Sequence, residues 1–170
     1  MAPQLKHAFT LRCYMDPSTV TTVGSRSDGH VRIIAPLTFG YIRFIDSGVE
    51  GKIHPPAADW LLHNPEANQA EFDTRLRAST DSGEVYIHYR GRIGLDDAAK
   101  KFLTFSPEAS TTEFGDAYWV MTPSLETSDE RLKTFEDVQL LGQGRWIVDN
   151  NGKGVEYEVF AVKVGGLTKP

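Results

Sequence analysis

The sequence predicts an all-β protein, a single antiparallel β-barrel of about eight to ten strands with one or two short helices. Three observations carry that expectation. Apolar and polar residues alternate with a period of two, as where Val85, Ile87 and Tyr89 interleave with Tyr86, His88 and Arg90. Turn chemistry recurs at hairpin spacing, in Asp16-Pro17-Ser18, Ser27-Asp28-Gly29, Asp81-Ser82-Gly83 and Asn150-Asn151-Gly152. No long stretch carries the helical period, which argues against a doubly wound α/β fold.

The elements follow in order. Residues 7–15 alternate, with Phe9 and Leu11 on one side and Thr10 and Arg12 on the other. Residues 19–25 are rich in β-branched side chains. Residues 31–38 alternate again, Gly40 breaks the pattern, and residues 41–45 restart it before a turn at Ser47, Gly48 and Gly51. Residues 55–70 are the weakest β region. Two prolines followed by residues 57–63 suggest a short helix or an irregular crossing. Residues 71–80 form a clear strand, with Phe72, Leu76 and Ala78 on one face and Asp73, Arg75 and Arg77 on the other.

After the strand at 85–90, Asp96-Asp97 is placed to cap a helical turn. Residues 102–105 and 117–122 read as strands. Ser128 is placed to cap a short helix. Gly142-Gln143-Gly144 reads as a hairpin turn. Strands at 138–141, 145–148 and 155–164 complete the set, and the tail from 165 onward is expected to fray. A length of 170 residues fits one domain spanning 1–170.

Composition narrows the function classes. A hydrophobic fraction of 40%, a charged fraction of 24% and a net charge of −5 describe a globular protein with no basic run. That argues against nucleic acid and against an anionic membrane surface as partners. Arg32, Arg43 and Asp46 interrupt the best apolar stretch, so no spanning helix is expected. The single cysteine, Cys13, fits a reducing compartment, and the opening residues lack the apolar core of a secretory signal. The expected location is cytoplasmic.

The histidines form no metal-ligating pattern and there is no cysteine pair, so no metal is expected. No nucleotide-binding glycine loop and no nucleophile elbow occur, so no cofactor and no covalent intermediate are expected. What remains is acid–base chemistry in a pocket. Asp59 stands beside Trp60. Apolar surroundings would raise its pKa, whereas an acid after a strand end is more commonly solvated. The aromatic residues Phe39, Tyr41, Trp60, Tyr89, Trp119 and Tyr157 are mostly core by composition, and a subset around a barrel mouth would make a flat apolar slot.

Several segments occur in an order that resembles the domain of unknown function 3237 family. They are residues 29–60 ending in Asp59-Trp60, the Asp73-x-Arg75 strand, the Thr80-Asp81-Ser82-Gly83 turn, Glu126-Thr127-Ser128-Asp129-x-Arg131, and Val155-Glu156-Tyr157-Glu158-Val159. Two departures stand out. Leu132-Lys133 occupies a place where members often have aromatics, and Pro56-Ala57-Ala58 replaces an expected glycine pair before Asp-Trp. The resemblance implies a small antiparallel barrel, with some fungal members acting as cofactor-free cyclases in aromatic natural-product tailoring.

The resulting expectation is a cofactor-independent cyclase or isomerase acting on a small aromatic polyketide or a terpenoid-linked phenol. Asp59 would be the general acid, Arg75 would steady oxyanion charge, and Glu126 is a third catalytic candidate. Phe39, Tyr41, Trp60, His88, Tyr89, Arg131 and Tyr157 are the candidate substrate-binding residues. For Arg75 the residue pattern favours a solvent-facing strand face, and the kinship favours the site. For Glu126 and Arg131 the plain alternative is a salt-bridged turn at the barrel rim. Rival expectations are a pericyclase in the same pocket, a ligand-binding barrel without chemistry, and an interaction module whose strand edges pair into a homodimer.

Overall fold

Alternation of side chains sets which face of each strand is greasy, and a sheet with one greasy face hides it most completely by curling into a cylinder. The computed structural model describes residues 2–165. The tail beyond 165, expected to fray, lies outside them.

The strands are β1 (Gln4–Met15), β2 (Thr21–Ser25), β3 (Val31–Phe44), β4 (Glu50–Asn64), β5 (Gln69–Ser79), β6 (Glu84–Gly94), β7 (Trp119–Thr127), β8 (Leu140–Asp149) and β9 (Gly152–Lys163). The order is β1-β9-β8-β7-β6-β5-β4-β3-β2, and β1 also pairs with β3. Eight antiparallel strands therefore close a barrel and β2 is an extra strand outside the ring. The long strand β3 makes this possible. Its first part, Val31 to Ile34, pairs with β2, and from Leu37 onward it pairs with β1. Pro36, which has no N–H to give, sits at the changeover.

Four sequence expectations are corrected. Residues 57–63 are not helical but belong to the extended β4. Pro55 and Pro56 sit in a ladder irregularity between His54 and Ala58, so they break no obligatory hydrogen bond and the strand resumes beyond them. Residues 102–105 are not a strand. Asp96 accepts a hydrogen bond from the Ala99 N–H at 2.8 Å and starts a helix, α1 (Asp97–Leu103). A short apolar run reads alike in either state, and here Phe102 stacks on Trp146 at 4.1 Å. The cap of the 3-10 turn Glu130–Phe135 is Asp129, not Ser128. Gly142-Gln143-Gly144 lies within β8, where the glycines make room for Met121 and Trp119 on β7.

The two ends of the barrel differ. At one end Phe9, Phe44 and Phe135 pack together, with ring centroids 5.1 to 6.2 Å apart, over the buried Leu132 and Leu140. The buried Asp129 carboxylate seals this end by accepting hydrogen bonds from the Thr80 hydroxyl at 2.7 Å and from Arg131 Nε at 2.9 Å. At the other end α1 and β2 overhang an opening edged by Met15, Val20, Thr22, Leu103 and Phe105. Among the described residues no helix is long and apolar enough to cross a membrane.

Candidate functional site

Register decides what enters the barrel. Ala35, Asp59, Thr74, Tyr89 and Pro123 are successive cross-strand partners on β3 to β7. In β4 the inward set runs Ala57, Asp59, Leu61, and in β5 it runs Phe72, Thr74, Leu76. One carboxyl is thereby carried into an apolar belt.

Asp59 lines a chamber of about 90 Å³ beneath the opening, with walls that include Ile33, Leu61, Phe72, Ile93, Trp119 and Trp146. Its Oδ1 accepts a hydrogen bond from the Thr74 hydroxyl at 3.0 Å. It has no ion-pair partner among the described residues. Burial pushes its pKa up to about 7, against the lowering effect of Thr74 and with some help from the charge of Asp73. Such a group is shared between acid and base forms near neutrality, which suits proton transfer.

Tyr89 and Tyr157 are fully buried behind the chamber, with rings 5.3 Å apart. Burial first, then neighbouring charge from one another, Cys13 and Asp59, lifts the Tyr89 phenol well above its ordinary pKa. Burial and the charges of Asp59 and Cys13 do the same for Tyr157. Both are held as neutral phenols. Burial, aided by Asp59, likewise pushes the Cys13 thiol up, so it is no nucleophile. Among the described residues no group of three or more potential metal ligands occurs.

Of the residues expected to form the site, Asp59, Tyr89 and Tyr157 come together inside. The others lie elsewhere. Trp60 is on the opposite face of β4 from its neighbour Asp59 and lines an outer groove with Arg32, Asp73 and Arg90. Arg75 is 49% exposed on the outside of β5, 3.5 Å from Asp73. The charge-bearing face of that strand is the solvent face, so Arg75 cannot reach the chamber. His88 also points outward, with Nε2 3.0 Å from Asp73 Oδ1.

Glu126 is exposed on the outer face of β7. Phe39 is 45% exposed and stacks on Tyr14 at 4.7 Å. Tyr41 is half-buried on the outside, between the guanidinium groups of Arg12 and Arg43. Its hydroxyl is 3.5 Å from the Glu156 carboxylate, which Arg12 and Arg145 hold between them. Arg131 is part of the plug at the closed end, bonded to Asp129 and Asp81.

Phe72 and Trp146 line the chamber and Thr74 holds Asp59 there, and none of the three is among the expected site residues. The signal for Thr74 was present, because it shares parity with Phe72 and Leu76. Trp146 lies in an apolar run where Trp146 and Ile147 are both buried, so alternation gives it no side.

Solved structures share this fold. A conserved protein of unknown function from Rhodopseudomonas palustris is 19% identical with a TM-score of 0.78, covering 96% of this chain and 99% of that one. A β-barrel-like protein from Acinetobacter baumannii is 22% identical with a TM-score of 0.70, covering 96% and 98%. A protein of unknown function from Clostridium acetobutylicum is 15% identical with a TM-score of 0.74, covering 96% and 99%. At such identities the likeness is one of fold. Among curated proteins there is no match. The family described as protein of unknown function (DUF3237) matches residues 3–162, nearly the whole chain, and the protein belongs to that family.

Proposed function

We propose that this protein is a cofactor-independent cyclase or isomerase that closes a ring within a small aromatic polyketide or terpenoid-linked phenol. The observation that carries the reading is a sheltered carboxyl, Asp59, tied only to Thr74 in an apolar aromatic chamber open at one end. The substrate's ring enters past Leu103 and Phe105. A chamber of about 90 Å³ admits about one ring, so the rest of the molecule stays in the mouth.

Asp59 in its acid form gives its proton to an alkene or enone of the substrate. The substrate's phenol oxygen bonds to the carbon made electrophilic, and the phenol proton returns to the carboxylate. Nothing is lost or gained, so the net change is an isomerisation. Fixing the two ends of one molecule in near-attack geometry supplies much of the acceleration. Arg75 takes no part in this scheme, because it lies outside the barrel.

A second reading is a binding barrel without chemistry. The outward placement of Arg75 and Glu126 favours it, since among the described residues Asp59 is then the one carboxyl lining the chamber. Asp59→Asn separates the readings. The cyclase reading expects turnover of a phenolic enone to fall by a factor on the order of 10² or more, with the variant folded and ligand still bound. Unchanged turnover would remove Asp59 from the chemistry and favour a pericyclase, in which the pocket only preorganises the reacting ends. Substrate recovered unaltered from the native protein would favour the carrier.

A further inference from the structure

An indole on one side of the core and the acid on the other are joined by a file of hydroxyls. Tyr89 stands opposite Thr74 in the β5–β6 ladder, and Thr74 stands opposite Asp59 in the β4–β5 ladder. The Thr74 hydroxyl donates to Asp59 Oδ1 at 3.0 Å. The Tyr89 hydroxyl lies within reach of Thr74, the Tyr157 hydroxyl within reach of Tyr89, and the Trp119 indole nitrogen within reach of Tyr157. Ring centroids are 5.3 Å apart for Tyr89 and Tyr157 and 5.5 Å for Trp119 and Tyr157. Both phenols and the indole nitrogen are closed to solvent, and their mutual contacts fall short of full hydrogen-bond geometry. A buried donor left idle costs about 1–3 kcal/mol, so small turns that align each with its neighbour are favoured.

The order of residue types gives this file a direction. An indole nitrogen donates and cannot accept, while a hydroxyl does both. With Trp119 at the head, Tyr157 accepts there and donates to Tyr89, Tyr89 donates to Thr74, and Thr74 donates to the carboxyl. The reverse direction would start from a proton on Asp59 Oδ1. It would leave one hydrogen facing another at the Trp119 end, where no acceptor stands. Chains of this kind polarise along their length, so each donor strengthens the next.

We infer that Tyr157, Tyr89 and Thr74 are positioning residues for Asp59: a one-way hydrogen-bond chain headed by Trp119 pins Oδ1 as an acceptor and leaves Oδ2 as the oxygen that takes up and releases the proton. This rests on reading Asp59 as the working acid, as above, and adds which oxygen works and what aims it. The other titratable groups facing Asp59 do not compete for the role. The Cys13 thiol on β1 is kept neutral by burial, and Asp73 acts as a charge on the outer face of β5. Among the described residues no Lys, Arg or His lines the chamber.

The test reads the carboxyl itself, by carbon-13 NMR titration of labelled aspartate, with Asp59→Asn assigning the signal. Each donor removed should raise the Asp59 pKa, and the rise should shrink with distance along the chain. Thr74→Val should raise it by about one to two units, the size expected for a hydrogen bond to a charged group. Tyr89→Phe leaves the Thr74–Asp59 bond in place and should raise it by roughly a quarter of that, with a smaller rise for Tyr157→Phe. Thr74→Ser, which keeps the hydroxyl, should titrate like the native protein. In the Thr74→Val background Tyr89→Phe should add nothing, because the link is already cut, whereas a mere change in solvation would add in full. An unmoved or lowered pKa in Tyr89→Phe, or a Tyr89 effect undiminished in that background, would each overturn the inference. No substrate is needed, so the two readings fail separately. Undiminished turnover in Asp59→Asn sinks the cyclase reading and leaves the chain, and an unmoved titration sinks the chain and leaves the acid.

Discussion

Asp59 shows how little its sequence neighbour has to do with its chemistry. Its pKa near 7 comes from the apolar residues across the ring and not from Trp60, which faces the other way. The folded state holds the Asp59 proton more tightly than the unfolded chain does. Stability from this residue is therefore full below about pH 4 and falls as pH rises toward 7, then stays flat. Removing the charge cost should make Asp59→Asn more stable than the native protein at pH 8, by about 2–4 kcal/mol, and denaturant titrations at pH 5 and pH 8 would show it. Equal stability of the two proteins at both pH values would mean that the carboxyl is better solvated than its setting implies. If the acid form is the working one, activity should hold below about pH 6 and decline as pH rises through 7. Asp129 behaves in the opposite sense. Hydrogen bonds from Arg131 and Thr80 hold its carboxyl well below the usual range, so its contribution is present above about pH 4 and is lost in acid. Asp129→Ala should cost about 2–4 kcal/mol in urea titrations without altering ligand affinity, since it lies at the far end from the chamber. Of the residues that matter, Asp59 is marked by its place beside an indole in the chain, and Tyr157 by the aromatic set and the closing family-like segment. Arg75 shares a strand face with Asp73 and Arg77 by alternation, and that face is the outer one, so the family-like motif it belongs to does not carry it into the chamber.

At the scale of elements, alternation fixes relative facing within a strand but cannot be carried across an irregularity. In β3 the buried set is Ala35 and Leu37 before the break and Ile42 and Phe44 after it, so parity changes near Gly40. That is why Phe39 and Tyr41 could not be assigned to a side from the sequence. The two prolines of β4 obscured a strand for a related reason, because they remove the ladder donors that define one. The break at Gly40 has a second cause. A Cβ there would stand 2.0 Å from the Arg12 carbonyl oxygen, and one at Gly154 would stand 2.2 Å from that of Cys13. Gly40 lies opposite Cys13 and Gly154 opposite Tyr14, in the two ladders that β1 makes with β3 and β9. Gly40→Ala and Gly154→Ala should each lower stability by about 1–3 kcal/mol, measured by thermal unfolding, because backbone and not a flexible side chain must move. An unperturbed melting temperature in both would mean that the seam is looser than its spacing.

For the whole molecule, the fold class was legible because period and punctuation agreed along nearly the entire chain. The difference between the two ends was not, since it depends on where α1 and the 3-10 turn after β7 come to rest. That difference directs traffic. On the proposed reading a molecule reaching Asp59 would pass Val20 and Thr22, because among the described residues the other end is packed by Phe9, Phe44 and Phe135. Thr22 is exposed on β2, so Thr22→Trp should leave stability within about 0.5 kcal/mol while cutting binding of the phenolic enone or its association rate severalfold. Association rates equal to those of the native protein would place the entrance elsewhere. The ring of eight strands closes through β1 and β3 without β2, which covers only the edge of β3 from Val31 to Ile34. Residues 20–30, which carry β2 and the turn into β3, thus form an exchangeable visor: on the proposed reading, replacing them with a stretch of equal length that still pairs with Val31 to Ile34 would change which molecules are admitted while the cylinder and its acid stayed as they are.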